Sequence, residues 1–270
     1  MNNPTPTFVK SKFDLHLWWI TAILIAVNVG LFFWQVLHGM NISSPTTQDA
    51  IYWGADFAPL TFLKEPQRLF TSMFFHFGLI HLMLNMWALY IFGSIAEQLF
   101  GRLYFICLYI LAGLMGSLLS GYISIQDSYE IIHLGQIDQN LLPRVGAGAS
   151  GAVMGLGASL TILALLPQLP YQRFILDRKT LIVVMGLNLA IGFTISGINN
   201  AAHVGGMIMG VFLTIIWYIG EKFKVSNIFK ILGIVLGTGL CYLFYQHCQS
   251  LIVEIQPLWK ELLSWMLRTE

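Results

Sequence analysis

The stretch VGAGASGAVMGLGASL, at Val145–Leu160, opens with glycines and alanines around Ser150 and continues as an apolar run. A small residue recurs at every fourth position, so a helix here would carry a flat ridge along one face. The members of this first ridge are Ala147, Gly151, Gly155 and Ser159. Ridges of small residues allow two membrane helices to approach closely. We therefore expect this stretch to form a membrane helix that packs tightly against a second helix.

A second ridge of small residues lies in a later apolar run, and His203 stands beside it. Its members are Ala202, Gly206 and Gly210. If the two ridges pack together, Ser150 and His203 face each other inside a membrane. A serine next to a histidine supplies the nucleophile and the base of a serine hydrolase. The two stretches together predict a hydrolytic site between two membrane helices.

The composition is that of a polytopic membrane protein. Hydrophobic residues make up 56% of the 270 residues and charged residues only 10%, whereas soluble domains carry roughly 25% charged residues. The formal net charge is +1 with no basic stripe, which argues against a nucleic-acid partner. The three cysteines lie in apolar runs without a CxxC pair, so they are expected to be buried apolar residues.

The apolar runs predict seven membrane spans, and all but the short fifth one are near the length of about 20 residues that crosses a bilayer. They are Leu17–Leu37, Leu69–Phe92, Leu103–Ile125, Val145–Leu166, Leu181–Ile195, Ala201–Ile219 and Ile231–Val253. The segment Gly39–Gln67 is rich in large apolar residues and is expected to fold onto or into the membrane surface. Gln126–Arg144 is predicted to be a polar connector. The tail after Pro257 is predicted to be an interfacial amphipathic helix.

The distribution of Lys and Arg predicts an orientation with the N-terminus in the cytoplasm and the C-terminus outside. The inside set of nine is Lys10, Lys12, Arg102, Arg173, Arg178, Lys179, Lys222, Lys224 and Lys230. The outside set of five is Lys64, Arg68, Arg144, Lys260 and Arg268. In this orientation the serine span and the histidine span both begin at the outer face.

Ser150 and His203 each have a structural alternative. A serine in a membrane helix commonly serves only as a small residue in helix packing. Ser150, however, lies at the start of a span, where the free N–H groups of the helix favour negative charge. A histidine inside a span is costly and usually functional, although it can also serve as a hydrogen-bonded contact between helices. No Asp or Glu lies in either span, so the predicted pair is a dyad without a carboxylate to orient the base.

A third group of polar residues lies in the second span and directly before it, at Arg68, His76, His81 and Asn85. His81 and Asn85 are four residues apart and share a helix face, whereas His76 is expected to point elsewhere. Donors at this position can stabilise an oxyanion, and a polar contact between helices is the alternative. A metal site at His76, His81 and His203 is disfavoured, because the spacing H-E-x-x-H and a nearby carboxylate are both missing.

Two further charged residues are expected to be structural. Glu97, near the inner end of the second span, is predicted to cap neighbouring backbone or to pair with Arg102. Arg68 is predicted to organise carbonyl groups of the first loop rather than to contact a substrate.

Taken together, these residues resemble the rhomboid intramembrane serine proteases. The matching motifs are Gly54-Ala55, Arg68, His76-x4-His81-x3-Asn85, Glu97-x3-Gly101, Gly148-Ala149-Ser150-Gly151 and Ala202-His203-x2-Gly206-x3-Gly210. The resemblance implies an all-α polytopic membrane protein, a rhomboid-like six-helix bundle with an extra C-terminal seventh transmembrane helix. It implies a short cytoplasmic segment at residues 1–16, a catalytic core at 17–225 and the seventh helix with its tail at 226–270.

The resemblance also assigns roles to single residues. Ser150 is implied as the nucleophile and His203 as the general base. The implied oxyanion hole consists of His81, Asn85 and the backbone N–H of Ser150. The supporting residues are Arg68, His76, Glu97, Gly148, Gly151, Met154, Gly206 and Gly210. The chain departs from the family's sequence pattern at two positions. Gln67 stands where Trp is frequent, and Met154 stands where some members place a Tyr against the histidine ring.

The implied substrates are transmembrane proteins with helix-destabilising residues, which enter from the lipid bilayer past a mobile fifth span. The implied site opens to the non-cytoplasmic side, the implied membrane is the bacterial inner membrane, and no cofactor is expected.

Two other hypotheses remain at this point: a non-catalytic relative that escorts membrane helices, and a small transporter. The non-catalytic relatives typically lack the serine or the histidine, and transporters tend to show internal repeats.

Overall fold

The computed structural model describes residues 15–136, 138–170, 172, 176–194 and 199–268, and this part of the chain is almost entirely helical. The ten α-helices are α1 Trp19–Leu37, α2 Thr47–Tyr52, α3 Ala58–Leu63, α4 Arg68–Thr71, α5 Leu79–Phe100, α6 Arg102–Leu134, α7 Ser150–Leu165, α8 Arg178–Thr194, α9 Asn200–Lys222 and α10 Ser226–Arg268. Lys10, Lys12 and Arg173, which the predicted orientation uses, lie outside the described residues.

Five of the described helices, α1, α5, α6, α9 and α10, are long and apolar enough to cross a membrane. The serine helix α7 is apolar but shorter, at 16 residues. The predicted all-α polytopic fold is confirmed. The first loop, residues 38–78, contains α2, α3 and α4 and carries buried apolar residues such as Phe57 and Phe62. It therefore packs onto the helices as part of the folded core.

The second span begins later than predicted. The sequence predicts Leu69–Phe92, whereas α5 runs from Leu79 to Phe100. The chain turns at Gly78, which has a φ of +95°, and a Cβ there would overlap a carbonyl oxygen of Ser43. Hydropathy does not distinguish the buried residues of the first loop from a span, because both are apolar.

The third and fourth spans also differ from their predicted limits. α6 continues nine residues past Ile125 to Leu134 and ends at Gly135, which adopts the left-handed conformation. Much of the predicted polar connector is therefore helix. The residues Val145–Ala149, here called the serine loop, are not helical, and α7 begins at Ser150.

The tail after Pro257 does not form a separate helix, and its place at the membrane interface stays a prediction. α10 is one continuous helix through Pro257, and Trp259 is fully buried. Proline removes one helix hydrogen bond, but the indole N–H of Trp259 donates to the Ser128 hydroxyl at 2.8 Å. The C-terminal residues up to Trp259 are consequently packed against α6.

The two ridges of small residues pack against each other, as the sequence predicts. A Cβ on Gly206 would overlap the Gly151 carbonyl oxygen, and one on Gly210 would overlap the Gly155 carbonyl oxygen. The Ser159 hydroxyl donates to the Gly210 carbonyl at 3.0 Å. α7 and α9 are therefore in backbone contact, which places the first turns of both helices side by side.

We expect Gly206→Ala to destabilise the protein, because the new methyl group has no space between α7 and α9. Overpacking of this kind costs about 1–3 kcal/mol, occasionally more. The control is Gly239→Ala on α10, where a Cβ would meet nothing within 4 Å. Thermal unfolding in detergent should show a lower midpoint for Gly206→Ala and none of this loss for Gly239→Ala. Equal midpoints for the two variants would contradict the close helix contact.

Glu97 caps the first membrane helix, so one of its two predicted roles is confirmed. Its buried carboxylate accepts hydrogen bonds from the Ile20 N–H at 3.1 Å and from the Thr21 N–H and hydroxyl at 2.8 Å. A carboxylate at a helix N-terminus satisfies free N–H groups and complements the helix dipole. Arg102 donates instead to the His16 carbonyl at 3.0 Å.

Arg68 organises the first loop, as predicted. Its guanidinium donates to the carbonyl oxygens of Ile51 and Ala55 at 2.7 and 2.9 Å and forms an ion pair with Glu65 at 2.9 Å. Gln67, the first departure from the family's sequence pattern, is exposed. The loop is thus held through Arg68 and its backbone contacts rather than through a side chain at position 67.

Candidate active site

Ser150 is the first residue of α7, so its N–H belongs to the helix N-terminus, where no helix carbonyl accepts it. The serine loop leads into this position. Gly148 has a φ of +116°, which favours glycine, and a Cβ there would lie 2.8 Å from Cε1 of His81. The loop can therefore run directly against the His81 ring only because position 148 has no side chain.

The first loop holds the serine loop in place through the backbone. Asp56 and Gly146 form an antiparallel bridge in which each N–H donates to the other carbonyl at 2.8 Å. The Gly148 N–H donates to the Ser72 carbonyl at 2.9 Å. The conformation that precedes Ser150 is thus fixed by residues that lie about 75 to 90 positions earlier in the chain.

His203 lies in the first turn of α9 and is buried. The helix is capped by the Asn199 side chain, which accepts from the Ala202 N–H at 3.0 Å. A Cβ on Gly151 would lie 3.2 Å from the Ala202 carbonyl oxygen, so the first turns of α7 and α9 are adjacent. Among the described residues, no side chain or backbone group is hydrogen-bonded to Nδ1 of His203.

Ser150, His203, His81 and Asn85 all line one cavity of about 160 Å³. A buried water needs only about 10–15 Å³ of such volume, so the cavity has room for water beside a reacting group. Met154, the second departure from the family's sequence pattern, is buried and also lines it. Other polar lining residues are Asp56, Ser72, Ser117, Ser120, Asn188 and Asn199.

The hydrogen bonds of His81 define its tautomer. Its Nδ1 accepts the Phe77 backbone N–H at 3.1 Å, so a neutral ring carries its proton on Nε2. That nitrogen faces the serine loop, because a Cβ on Gly148 would lie 3.0 Å from it. Asn85 lies one turn further along α5 and donates to the His81 carbonyl at 3.0 Å through one N–H of its amide. The second amide N–H is available to another acceptor.

His76 lies closer to His81 than the sequence predicts. Because α5 begins only at Leu79, His76 belongs to the first loop, and the two imidazole rings meet edge to face with centroids 5.2 Å apart. Nε2 of His76 accepts the Ala149 N–H at 3.4 Å. Burial, with a smaller effect of His81, lowers the pKa of His76 to about 3, so the ring is neutral and able to accept.

Asp56 also lines the cavity, a position that the motifs of the sequence do not predict. Its carboxyl group is buried and accepts a hydrogen bond from the Thr61 hydroxyl at 2.6 Å. Burial raises the pKa of Asp56 to about 6, although the Thr61 hydrogen bond and the Arg68 charge act in the opposite direction. In the sequence, the feature that could have pointed to Asp56 as a site residue is its position directly after the Gly54-Ala55 motif.

The chemistry of the two clustered histidines does not suit a metal ion. His76 and His81 each use one ring nitrogen to accept a backbone N–H. Within the described residues, no group of three or more His, Cys, Asp or Glu side chains is placed to hold a metal. The arrangement instead places a hydroxyl, an imidazole and hydrogen-bond donors around a cavity with room for water, and these are the groups that acyl transfer requires.

Comparison with known proteins agrees with this geometry. The family model of the Rhomboid domain matches residues 63–220, more than half of the chain. The matched region contains Arg68, His81, Asn85, Ser150 and His203 and ends before α10.

Several curated proteins are similar over long stretches. "Rhomboid protease AarA" of Providencia stuartii is 28% identical over 271 residues, which cover 96% of this chain and 95% of that protein. "Rhomboid protease GluP" of Bacillus subtilis is 32% identical over 71% of this chain but only 33% of its own length. "RHOMBOID-like protein 5" of Arabidopsis thaliana is 32% identical over 60% of this chain and 48% of that protein.

Proposed function

The chain belongs to the rhomboid family of intramembrane serine proteases, and on this premise we propose that Ser150 is its nucleophile and His203 its general base. The family and its protease relatives support the activity. One observation supports the choice of these two residues. Ser150 and His203 line the same cavity, at the adjacent first turns of α7 and α9.

The reaction follows from the side chains around the cavity. The Ser150 hydroxyl attacks the carbonyl carbon of the scissile peptide bond, and His203 accepts the hydroxyl proton. The tetrahedral intermediate collapses when His203 returns that proton to the leaving amine, which leaves an acyl group on Ser150. Water then attacks the acyl group with His203 again as base. The bond to the Ser150 oxygen breaks, His203 returns the proton to that oxygen, and the carboxylic acid product is released.

The oxyanion of the intermediate requires donors placed before the reaction begins. We assign this role to the Ser150 N–H, to Nε2–H of His81 and to the amide of Asn85. The tautomer of His81 supports the assignment, because the Phe77 N–H occupies Nδ1 and leaves the proton on the nitrogen that faces the serine loop. His76 contributes indirectly, since it accepts the Ala149 N–H and so orients the preceding peptide.

We expect Asn85→Ala to lower kcat by roughly 10²–10³-fold, the usual loss for one oxyanion donor. KM should change little, because the donor acts on charge that develops in the transition state. The matched control is Asn28→Ala on α1, which removes an amide that also donates to the carbonyl four residues earlier, that of Leu24, and that does not line the cavity. Steady-state cleavage of a fluorogenic transmembrane peptide measures both variants, and unchanged turnover in Asn85→Ala would remove it from the oxyanion hole.

The substrates in this proposal are transmembrane proteins with helix-destabilising residues near the cleavage site. A peptide bond inside a membrane helix is already hydrogen-bonded and shielded from water, so a segment that unwinds easily is the better substrate. We assign the role of gate to α8, which presents exposed apolar residues such as Ile182, Val183 and Leu187 to the bilayer. No cofactor takes part in the proposed reaction.

We place the chain in a membrane with its N-terminus in the cytoplasm, its C-terminus outside and its cavity open to the non-cytoplasmic side. The bias of Lys and Arg between the two sets of loops supports this orientation. The similarity to proteins of Providencia stuartii and Bacillus subtilis supports a bacterial inner membrane.

Within the chain, we assign residues 17–225 to the catalytic core, 226–270 to the seventh helix and its tail, and 1–16 to a cytoplasmic segment.

The decisive experiment is a cleavage assay on a panel of single-span membrane proteins in liposomes, with the cut sites sequenced. We expect cuts near the outer end of the span, next to residues that disfavour helix. Labelling with a fluorophosphonate, which reacts with activated serines, should accompany cleavage. A purified, folded protein that neither cleaves nor labels would favour the non-catalytic escort hypothesis.

A further inference from the structure

The seventh helix, α10, is in direct contact with the first loop through Phe62. The side chain amide of Gln249 donates to the Phe62 carbonyl at 3.0 Å and to the Tyr245 hydroxyl at 2.8 Å. The Phe62 ring stacks on Tyr245 with centroids 5.9 Å apart and lies 6.5 Å from the ring of Trp259. A Cβ on Gly121 of α6 would overlap this ring. Phe62 is therefore enclosed in a socket formed by Gly121, Tyr245, Gln249 and Trp259.

The socket is itself tied to the core of the protein. The indole N–H of Trp259 donates to the Ser128 hydroxyl at 2.8 Å, and both residues are fully buried. The Tyr129 hydroxyl donates to the Leu251 carbonyl at 2.6 Å. α10 is thus fixed to α6 at Leu251 and Trp259, both on the C-terminal side of Gln249, so this part of α10 cannot move independently of the helix bundle.

The other side of Phe62 leads to the serine. Its neighbour Thr61 donates to the Asp56 carboxyl at 2.6 Å, and Asp56 forms the backbone bridge with Gly146 of the serine loop. Four residues after Gly146 the chain reaches Ser150. A continuous series of hydrogen bonds and packed rings therefore connects α10 with the residue proposed as nucleophile.

We propose that α10 holds the first loop against the serine loop, which the first loop contacts through the bridge of Asp56 with Gly146. Gln249 and Trp259 are then positioning residues for the proposed cleavage reaction. The inference rests on the proposed function, and it gives the seventh helix a role that the family match at residues 63–220 does not cover. A reacting serine displaced by a fraction of an ångström loses its alignment with base and oxyanion donors, so positioning affects the rate of acylation more than substrate affinity.

The test compares two methionine substitutions on the same helix. Gln249→Met keeps the length of the side chain but removes the donor to Phe62, and Gln246→Met makes the same change at an exposed position three residues away. We measure kcat, KM and the rate of fluorophosphonate labelling per folded molecule, with folding judged by monodispersity and thermal unfolding. Labelling reports on Ser150 without any substrate helix, so it separates positioning from substrate binding.

For Gln249→Met we expect kcat and the labelling rate to fall together by about tenfold or more, with KM nearly unchanged, while Gln246→Met behaves as wild type. If Gln249→Met does not fold, Trp259→Phe decides, because it keeps an aromatic ring while it removes the donor to Ser128 and part of the indole. Wild-type rates per folded molecule, even with reduced stability, would overturn the proposal. Absence of labelling in the wild type would overturn the proposed function itself, which is a different result.

Discussion

Replacing Ser150 with alanine is expected to reduce peptide cleavage by about 10⁶-fold, the loss seen when the nucleophile of a serine protease is removed. Alanine lacks the hydroxyl that attacks the peptide carbonyl, so no acyl-enzyme can form. The fold should persist, since Ser150 stands at the first position of α7, where alanine is a good helix former. Fluorophosphonate labelling should disappear together with cleavage.

The matched control for this variant is Ser159→Ala, two turns further along the same helix. The Ser159 hydroxyl donates to the carbonyls of Gly155 and Gly210 and does not line the cavity. Its loss should cost some stability but leave labelling and turnover per folded molecule intact. Cleavage by Ser150→Ala at the wild-type rate would mean that another group is the nucleophile, and the proposed mechanism would then be wrong.

Replacing His203 with alanine is expected to have an effect of similar size, about 10⁶-fold on kcat, because an isolated serine hydroxyl is a poor nucleophile at neutral pH. In a dyad the two residues act as one unit. The double variant Ser150→Ala/His203→Ala should therefore be no slower than either single variant, and its loss should be far smaller than the product of the two. The measurement is the single-turnover cleavage rate of all three variants.

The control for His203 is His133→Ala, which removes an exposed histidine near the end of α6. This variant should cleave at the wild-type rate. If the losses of Ser150→Ala and His203→Ala multiplied in the double variant, the two residues would act independently. Such a result would contradict the dyad, even though both side chains line one cavity.

Local patterns in the sequence were sufficient for the main features of the fold. The two ridges of small residues predicted the contact between α7 and α9, because a small side chain at every fourth position lets the backbones of two membrane helices approach closely. Glu97 and Arg68 were expected to bind backbone groups, and both do. In each case the residue type and its place relative to a span limit the possible partners.

Span limits were less predictable. Hydropathy reports how apolar a segment is, and the buried first loop is as apolar as a span. The late start of α5 at Leu79 therefore could not be anticipated, and the approach of His76 to His81 depends on it. The burial of Trp259 was missed for the same reason, because an aromatic tail after a proline has the composition of an interfacial helix.

The sequence by itself determined that this is a helical membrane protein of the rhomboid family, and it supplied the residues of the proposed dyad. Only the tertiary structure decided how the serine is held, through the bridge of Asp56 with Gly146 and the socket around Phe62. These contacts join residues about 90 and 187 positions apart. Hydropathy and motif spacing are local properties, whereas contacts at such separations exist only once the helices have packed.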